Sequence, residues 1–190
     1  METLIALCMG VTLSAACGFR VFVPPLVMSV AAIYADYPLG QGFEWLGTYP
    51  AMITLAAATL VEILAYYIPV VDNFLDTIEI PTVLVVGTML TAASLGDVDP
   101  VLKWSIAVVA GGGSAEIVQG LTSMTRLAST SFTGGIGNPV VSTTEALSAT
   151  TLSVMAINAP LIAAIVVILV LSYALKRIWK FWQKQQKKSY

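Results

Sequence analysis

The chain has 190 residues, of which 57% are hydrophobic and 11% charged, and its mean hydropathy is +0.86. A soluble domain has roughly 25% charged residues, so the composition indicates an integral membrane protein with a formal net charge of -2. Histidine is absent, which argues against haem, most zinc sites and the usual general base. We therefore expect no metal or other cofactor, and no nucleic-acid partner, because no basic face carries interleaved aromatic residues.

The first apolar stretch covers residues 3–35. As one straight helix it would be about 50 Å long, which exceeds a hydrocarbon core of about 30 Å. Gly18, Arg20, Pro24 and Pro25 interrupt it, and proline removes a backbone donor and disfavours helix just before it. The stretch predicts a broken helix or a helix–turn–helix, with irregular backbone that is buried in protein or lines a cavity.

An interfacial loop at residues 36–50 precedes a second span at 51–71. Glu62 falls close to the midpoint of this span, and Tyr66 lies one helical turn further on the same face. A carboxylate at that depth requires either a partner or a polar pathway.

Residues 69–81 form a short acidic connector before a third, uncharged span at 81–95. Asp72 and Asp76 are one helical turn apart, and their oxygens could bind a cation. The alternative interpretation is a solvated loop without a ligand.

A fourth helix is predicted at residues 101–124, and it contains three consecutive glycines, Gly111–Gly113, which favour close helix packing. Glu116 and Gln119 share one face of its polar second half. Glu116 could pair with Arg126, or the two polar residues could line a pathway.

A Ser/Thr-rich and glycine-rich segment follows at residues 126–144 and ends in the run Gly134-Gly135-Ile136-Gly137-Asn138-Pro139. Successive backbone N–H groups in such a run can form a nest that holds an anion. The alternative is a tight re-entrant turn whose glycines allow close packing. Ser142 and Glu145 have the spacing of a capping box, which predicts a helix start there.

The last apolar span covers residues 145–175, with a kink expected at Pro160. A basic tail follows at 176–190, with Trp179 and Trp182 as interface anchors. Since cytoplasmic segments are enriched in Lys and Arg, we expect this tail in the cytoplasm.

Arg20 lies in the middle of an apolar stretch. An isolated charge at the centre of a span costs about 2.5–3.5 kcal/mol, so Arg20, Glu62 and Glu116 would together cost roughly 8–10 kcal/mol if each were deep and unpaired. Pairing is therefore expected, with Glu62 as the first partner of Arg20. The pair could be purely structural, or it could belong to a polar site reached from one side of the membrane. In a third alternative the pair does not form, and the side chain of Arg20 extends to the membrane interface.

The ordered series of motifs resembles a family of bacterial membrane proteins known only as domain of unknown function 4126. The resemblance covers about residues 5–165 and rests on Gly18 to Pro25, on Glu62 with Tyr66, Pro69, Asp72 and Asp76, on Arg126 to Ser129, and on Gly134 to Ser142 with Glu145. Members of that family often have an aspartate directly after the position matching Glu145, where this chain has Ala146, which argues against a paired-acid role there. The resemblance implies a polytopic membrane fold with clustered polar motifs, and it implies no particular activity.

We therefore predict an all-α transmembrane bundle of about five spans in a single domain, residues 1–175, followed by the basic tail. A broken first helix and an irregular or re-entrant segment near residues 128–144 hint at an inverted repeat. Such a small bundle is expected to form a homodimer or another homo-oligomer in the lipid bilayer of the bacterial inner membrane.

The leading functional hypothesis is a small transporter or channel for a polar or anionic solute, with Glu62 or Glu116 carrying a coupling proton. The alternative is a non-catalytic scaffold or lipid-binding protein whose charges are structural. An enzyme acting on lipid is disfavoured because no nucleophile–base pair is visible. The candidate solute-binding or pathway residues are Arg20, Pro24, Pro25, Glu62, Glu116, Arg126, Gly134, Gly135, Gly137, Asn138 and Glu145, and the candidate cation-binding residues are Asp72 and Asp76.

Overall fold

The computed structural model describes residues 2–67, 69–96 and 98–188, and these residues contain helices but no strand. A short 3-10 helix lies at Glu44–Gly47. The seven longer helices are α1 (Glu2–Cys17), α2 (Val23–Tyr34), α3 (Tyr49–Ala65), α4 (Pro69–Ser94), α5 (Pro100–Thr133), α6 (Asn138–Asn158) and α7 (Pro160–Lys188).

Three segments are long and apolar enough to cross a membrane: α5, α6 and the part of α7 at Pro160–Arg177. The other apolar helices have 10–17 residues, and they include α1, α2, α3 and the part of α4 at Ile78–Ser94. The fold is thus all-α and typical of a membrane protein, while the count of about five spans stays a prediction.

The first apolar stretch is divided into α1 and α2, and residues 18–22 join them. Pro24 and Pro25 lie in the first turn of α2, where a missing backbone N–H costs no intrahelical hydrogen bond. Both prolines are buried and begin a helix. That α1 and α2 together make one broken crossing of the membrane stays a prediction.

The acidic connector predicted at residues 69–81 was wrong, because α4 runs without interruption from Pro69 to Ser94 and includes Pro81. Membrane helices tolerate an internal proline when neighbouring groups satisfy the backbone. The backbones of Asp72 and Asp76 belong to α4, and their side chains lie outside the described part of the structure.

The irregular segment predicted at 128–144 was also wrong, since only residues 134–137 are non-helical. Ser131 and Thr133 donate hydrogen bonds to main-chain oxygens four residues earlier in α5, so a Ser/Thr-rich sequence remains helical. Gly134 and Gly135 have φ values of 64° and 91°, which glycine adopts without strain.

Two further predictions about the last part of the chain need correction. The helix start predicted from Ser142 and Glu145 lies further upstream, because α6 begins at Asn138 and both residues are inside it. Pro160 does not kink one long span, because α6 ends at Asn158 and a new helix begins at Pro160. A proline is favoured in the first turn of a helix, where it lacks no intrahelical bond.

Small residues allow the helices of the core to pack closely. Gly111 of α5 lies so near α4 that an added Cβ would be 2.3 Å from the Thr91 hydroxyl oxygen. A Cβ on Gly18 would lie 2.4 Å from the Ala115 carbonyl oxygen. The turn after α1 is therefore pressed against α5, and this contact positions Arg20 two residues later.

Candidate functional site

Two buried arginines and one buried glutamate meet between three segments of the chain. Arg20 belongs to the turn after α1, Arg126 lies about two turns before the end of α5, and Glu145 lies about two turns after the start of α6. The exposed fractions are 1% for Arg20, 5% for Arg126 and 4% for Glu145. Two turns of helix rise about 10 Å, so these charges lie well below the turn at residues 134–137.

Glu145 is the shared partner of both arginines. Its Oε2 lies 3.3 Å from Nη2 of Arg20. Arg126 donates from Nε to Oε1 at 3.1 Å and from Nη2 to Oε2. The contact with Arg126 is a bidentate, charge-assisted pair, which fixes geometry as well as adding energy.

Arg20 has further neighbours on two sides. Its Nη2 donates to the main-chain oxygen of Ser142 at 3.2 Å and to the Ser142 hydroxyl. Its Nε and Nη1 have no hydrogen-bond acceptor within the described part of the chain. Buried donors almost always have an acceptor in folded proteins, so this arginine retains capacity to bind a polar group.

Tyr66 packs against both guanidinium groups. Its ring centroid lies 3.9 Å from Cζ of Arg20 and 3.8 Å from Cζ of Arg126, which are favourable cation–π distances. Tyr66 is 1% exposed. The end of α3 thereby joins the same cluster, as its position one turn after Glu62 suggested.

The prediction that Glu62 is the ion-pair partner of Arg20 was wrong. The Glu62 carboxylate accepts hydrogen bonds from the backbone N–H groups of Val21 at 2.7 Å and Phe22 at 3.1 Å, although the charge of Arg20 also acts on it. These N–H groups directly precede Val23, the first residue of α2, so the carboxylate lies near the positive end of the helix dipole. Glu62 thus connects α3 to the start of α2.

The predicted pairing of Arg126 with Glu116 was wrong as well, because Arg126 pairs with Glu145. Ten residues separate Glu116 from Arg126 along α5, which corresponds to about 15 Å. Glu116 is half-buried, and its Oε1 is buried without a hydrogen-bond partner among the described residues. It lies apart from the two arginines.

The cluster also includes Glu79, which sequence reasoning missed, and Gln119, which it grouped with Glu116. Gln119 donates from Nε2 to Oε2 of Glu79 at 3.0 Å, and both side chains are buried. Glu79 also lies beside Tyr66. Helical periodicity could have found it, because Glu79 shares the buried face of α4 with Val83 and Leu90.

The glycine run forms a tight turn whose N–H groups are largely occupied. The backbone N–H of Gly134 donates to Thr130, that of Ile136 to Thr133, and that of Asn138 to Gly135, in each case to the main-chain oxygen. The N–H of Gly137 donates to the Thr133 hydroxyl. These hydrogen bonds favour the tight-turn interpretation over an open anion nest.

Two cavities border the cluster. One has a volume of about 290 Å³ and is formed by Tyr66 and Tyr67 on one side and by Gly134, Gly135, Ile136, Asn138 and Pro139 on the other. The second, of about 270 Å³, lies between α5 and α6 and reaches Glu145 beside Phe19. The cluster is therefore approached from two directions, one at Tyr66 and one at Glu145.

The comparisons with known proteins agree with the motif series. The family described as "Domain of unknown function (DUF4126)" matches residues 7–180. The chain belongs to that family. The resemblance inferred from the sequence is thus confirmed, and no curated protein and no solved structure matches the chain.

Proposed function

We propose that this chain is a small membrane transporter or channel for a polar or anionic small solute, and that the solute binds at the cluster of Arg20, Arg126, Glu145 and Tyr66. The observation that carries the proposal is Arg20, whose buried Nε and Nη1 donors lack an acceptor within the described residues. A guanidinium has five N–H donors in a fixed fork that matches carboxylate and phosphate oxygens.

The surroundings of Arg20 favour an anion over a cation. The guanidinium of Arg126 lies against the same ring as Arg20 and within reach of the same carboxylate. An anion that binds beside Arg20 therefore meets two guanidinium groups that share one carboxylate, Glu145, at low dielectric, where attraction is strong.

The cavity at Tyr66 provides an entrance to the cluster. The amide of Asn138 and the main chain of Gly134 and Gly135 supply polar groups to its lining, and Tyr66 lines it as well. Its volume of about 290 Å³ is at the small end of the range for ligand pockets. A solute of a few heavy atoms fits this space better than a lipid or a nucleotide.

The orientation and assembly of the protein are part of the proposal. The basic residues near the C-terminus, which include Lys176 and Arg177, favour a cytoplasmic tail in a bacterial inner membrane. A bundle of this size supports a pathway more easily as a homodimer or another homo-oligomer.

A second candidate function is a scaffold whose charges only hold the helices together. It is favoured by Glu62, which is committed to backbone N–H groups at the start of α2. On this alternative the cluster binds no solute at all.

Flux through proteoliposomes separates the two candidates. Vesicles containing the protein are placed in isosmotic sodium salts of acetate, lactate, nitrate and phosphate and in glycerol, and swelling is followed by light scattering. We expect at least one solute to enter faster than into protein-free vesicles, and Arg20→Lys, which keeps the charge but loses the fork, to slow that entry. Equal rates with and without protein for every solute would contradict the transporter proposal.

A further inference from the structure

Glu79 is a third carboxyl group in the charged cluster and is only 8% exposed. Its neighbours come from every segment around it: Gln119 on α5 donates a hydrogen bond at 3.0 Å, Tyr66 lies beside it, and the charges of Glu62, Arg126 and Arg20 act on it.

The distribution of hydrogen bonds distinguishes Glu79 from the other two glutamates. Glu145 contacts both arginines, and Glu62 accepts two backbone N–H groups. Glu79 instead receives the side-chain amide of Gln119. An amide N–H can donate to a carboxylate or to the carbonyl oxygen of a carboxylic acid, so this contact survives a change in protonation.

Tyr66 adjoins both a cavity and Glu79. It lines the 290 Å³ cavity, and its side chain lies beside Glu79. A tyrosine hydroxyl both donates and accepts hydrogen bonds, so Tyr66 is the residue through which we route a proton between the cavity and the buried carboxyl group.

We propose that Glu79 is the proton-binding site of this protein, and that it takes up one proton when an anion binds beside Arg20 and loses it when the anion leaves. This inference rests on the proposed function. An added negative charge favours the neutral form of a nearby carboxyl group. The proton comes from water through the cavity and forms an O–H bond on Glu79, so the net charge of the cluster is the same before and after the anion enters.

Infrared spectroscopy tests the proton site without any solute. Wild-type protein in lipid bilayers is titrated with acid and base, and the C=O stretching band of protonated carboxyl groups is followed. We expect one component of this band to disappear as the solution is made alkaline and to be missing from Glu79→Gln. A component that persists in folded Glu79→Gln protein, or no such component in wild type, would overturn the assignment.

Two variants keep this result interpretable. Glu44→Gln is the matched control, because Glu44 is exposed. Its own backbone N–H and that of Gly42 hold the pKa of its carboxyl below the usual value. Removing this carboxyl therefore leaves the band unchanged. Glu79→Asp retains a carboxyl group and is expected to shift the band, which provides the evidence if Glu79→Gln does not fold.

Coupling to the anion is tested by proton uptake. Acetate, nitrate and phosphate are added in turn to weakly buffered protein with a pH-sensitive dye, on the alkaline side of the infrared transition, where Glu79 is ionised before any anion is added. We expect about one proton taken up per anion bound by wild type and none by Glu79→Gln that still binds. Binding by wild type without proton uptake would overturn the coupling. If no anion binds, the proposed function and the coupling both fail, while the infrared result still decides whether Glu79 holds a proton.

Discussion

Arg20 and Glu145 are far apart in the sequence, yet their side chains meet at 3.3 Å inside the bundle. Arg20 reaches this position because the turn after α1 presses against α5 at Gly18. Glu145 reaches it because α6 begins at Asn138, about two turns earlier. One carboxylate therefore links the turn, α6 and, through Arg126, α5.

Replacing Glu145 with glutamine is expected to destabilise the protein by about 3–5 kcal/mol, the usual effect of removing one partner from a buried ion pair. The substitution leaves Arg20 and Arg126 without the carboxylate that they share. Thermal unfolding in detergent measures the change. Glu44→Gln, at an exposed glutamate, serves as the control and should unfold like wild type. Equal stability of Glu145→Gln and Glu44→Gln would contradict the role of Glu145 as the partner of both arginines.

Two glycine-to-alanine substitutions test the close contact that positions Arg20. Gly18→Ala places a Cβ 2.4 Å from the Ala115 carbonyl oxygen, so we expect a loss of about 1–3 kcal/mol, as for other overpacked sites. Gly120→Ala meets nothing within 4 Å in α5 and should stabilise the helix by about 0.5–1 kcal/mol. Chemical denaturation compares them, and a Gly18→Ala protein as stable as Gly120→Ala would show that the turn is not held against α5.

Glu62→Gln is expected to have a modest structural effect. The variant keeps one acceptor oxygen for Val21 or Phe22 but loses the negative charge at the start of α2, a change of up to about 2 kcal/mol for a partly buried group at a helix end. Thermal unfolding and the swelling assay are measured on the same preparation. Loss of flux with unchanged stability would instead support the sequence hypothesis that Glu62 carries the coupling proton.

The sequence predicted the membrane-like all-α fold and the family, because long apolar runs and the motif order are local properties. Residues 18–22, which join α1 and α2, lie within the interruption expected at Gly18 to Pro25, while a single broken crossing stays a prediction. Sequence reasoning failed at Pro81, which lies inside the uninterrupted helix α4. It also failed at residues 128–144, where the hydroxyls of Ser131 and Thr133 bond within the helix.

Arg20, Arg126 and Glu145 were singled out in the sequence and meet in the structure, but their pairing was not predicted and their role in binding a solute stays a prediction. The position of both residues near the middle of their spans suggested that Arg20 pairs with Glu62. The partner of Arg20 depends instead on which helix faces lie against the turn after α1. Glu79 was assigned to a connector because Pro81 was taken as the start of a span. The inverted repeat and the cation site at Asp72 and Asp76 stay predictions.

The most direct measurement is thermal unfolding of purified wild type and Arg20→Lys across chloride, nitrate, acetate, lactate, phosphate and sulfate at constant ionic strength. A ligand that binds only the folded state adds about 2.7 kcal/mol at a hundred times its dissociation constant. The account expects at least one anion to raise the unfolding temperature of wild type and to have little effect on folded Arg20→Lys protein. Identical responses of the two proteins to every anion would contradict a solute site at Arg20 and favour the scaffold.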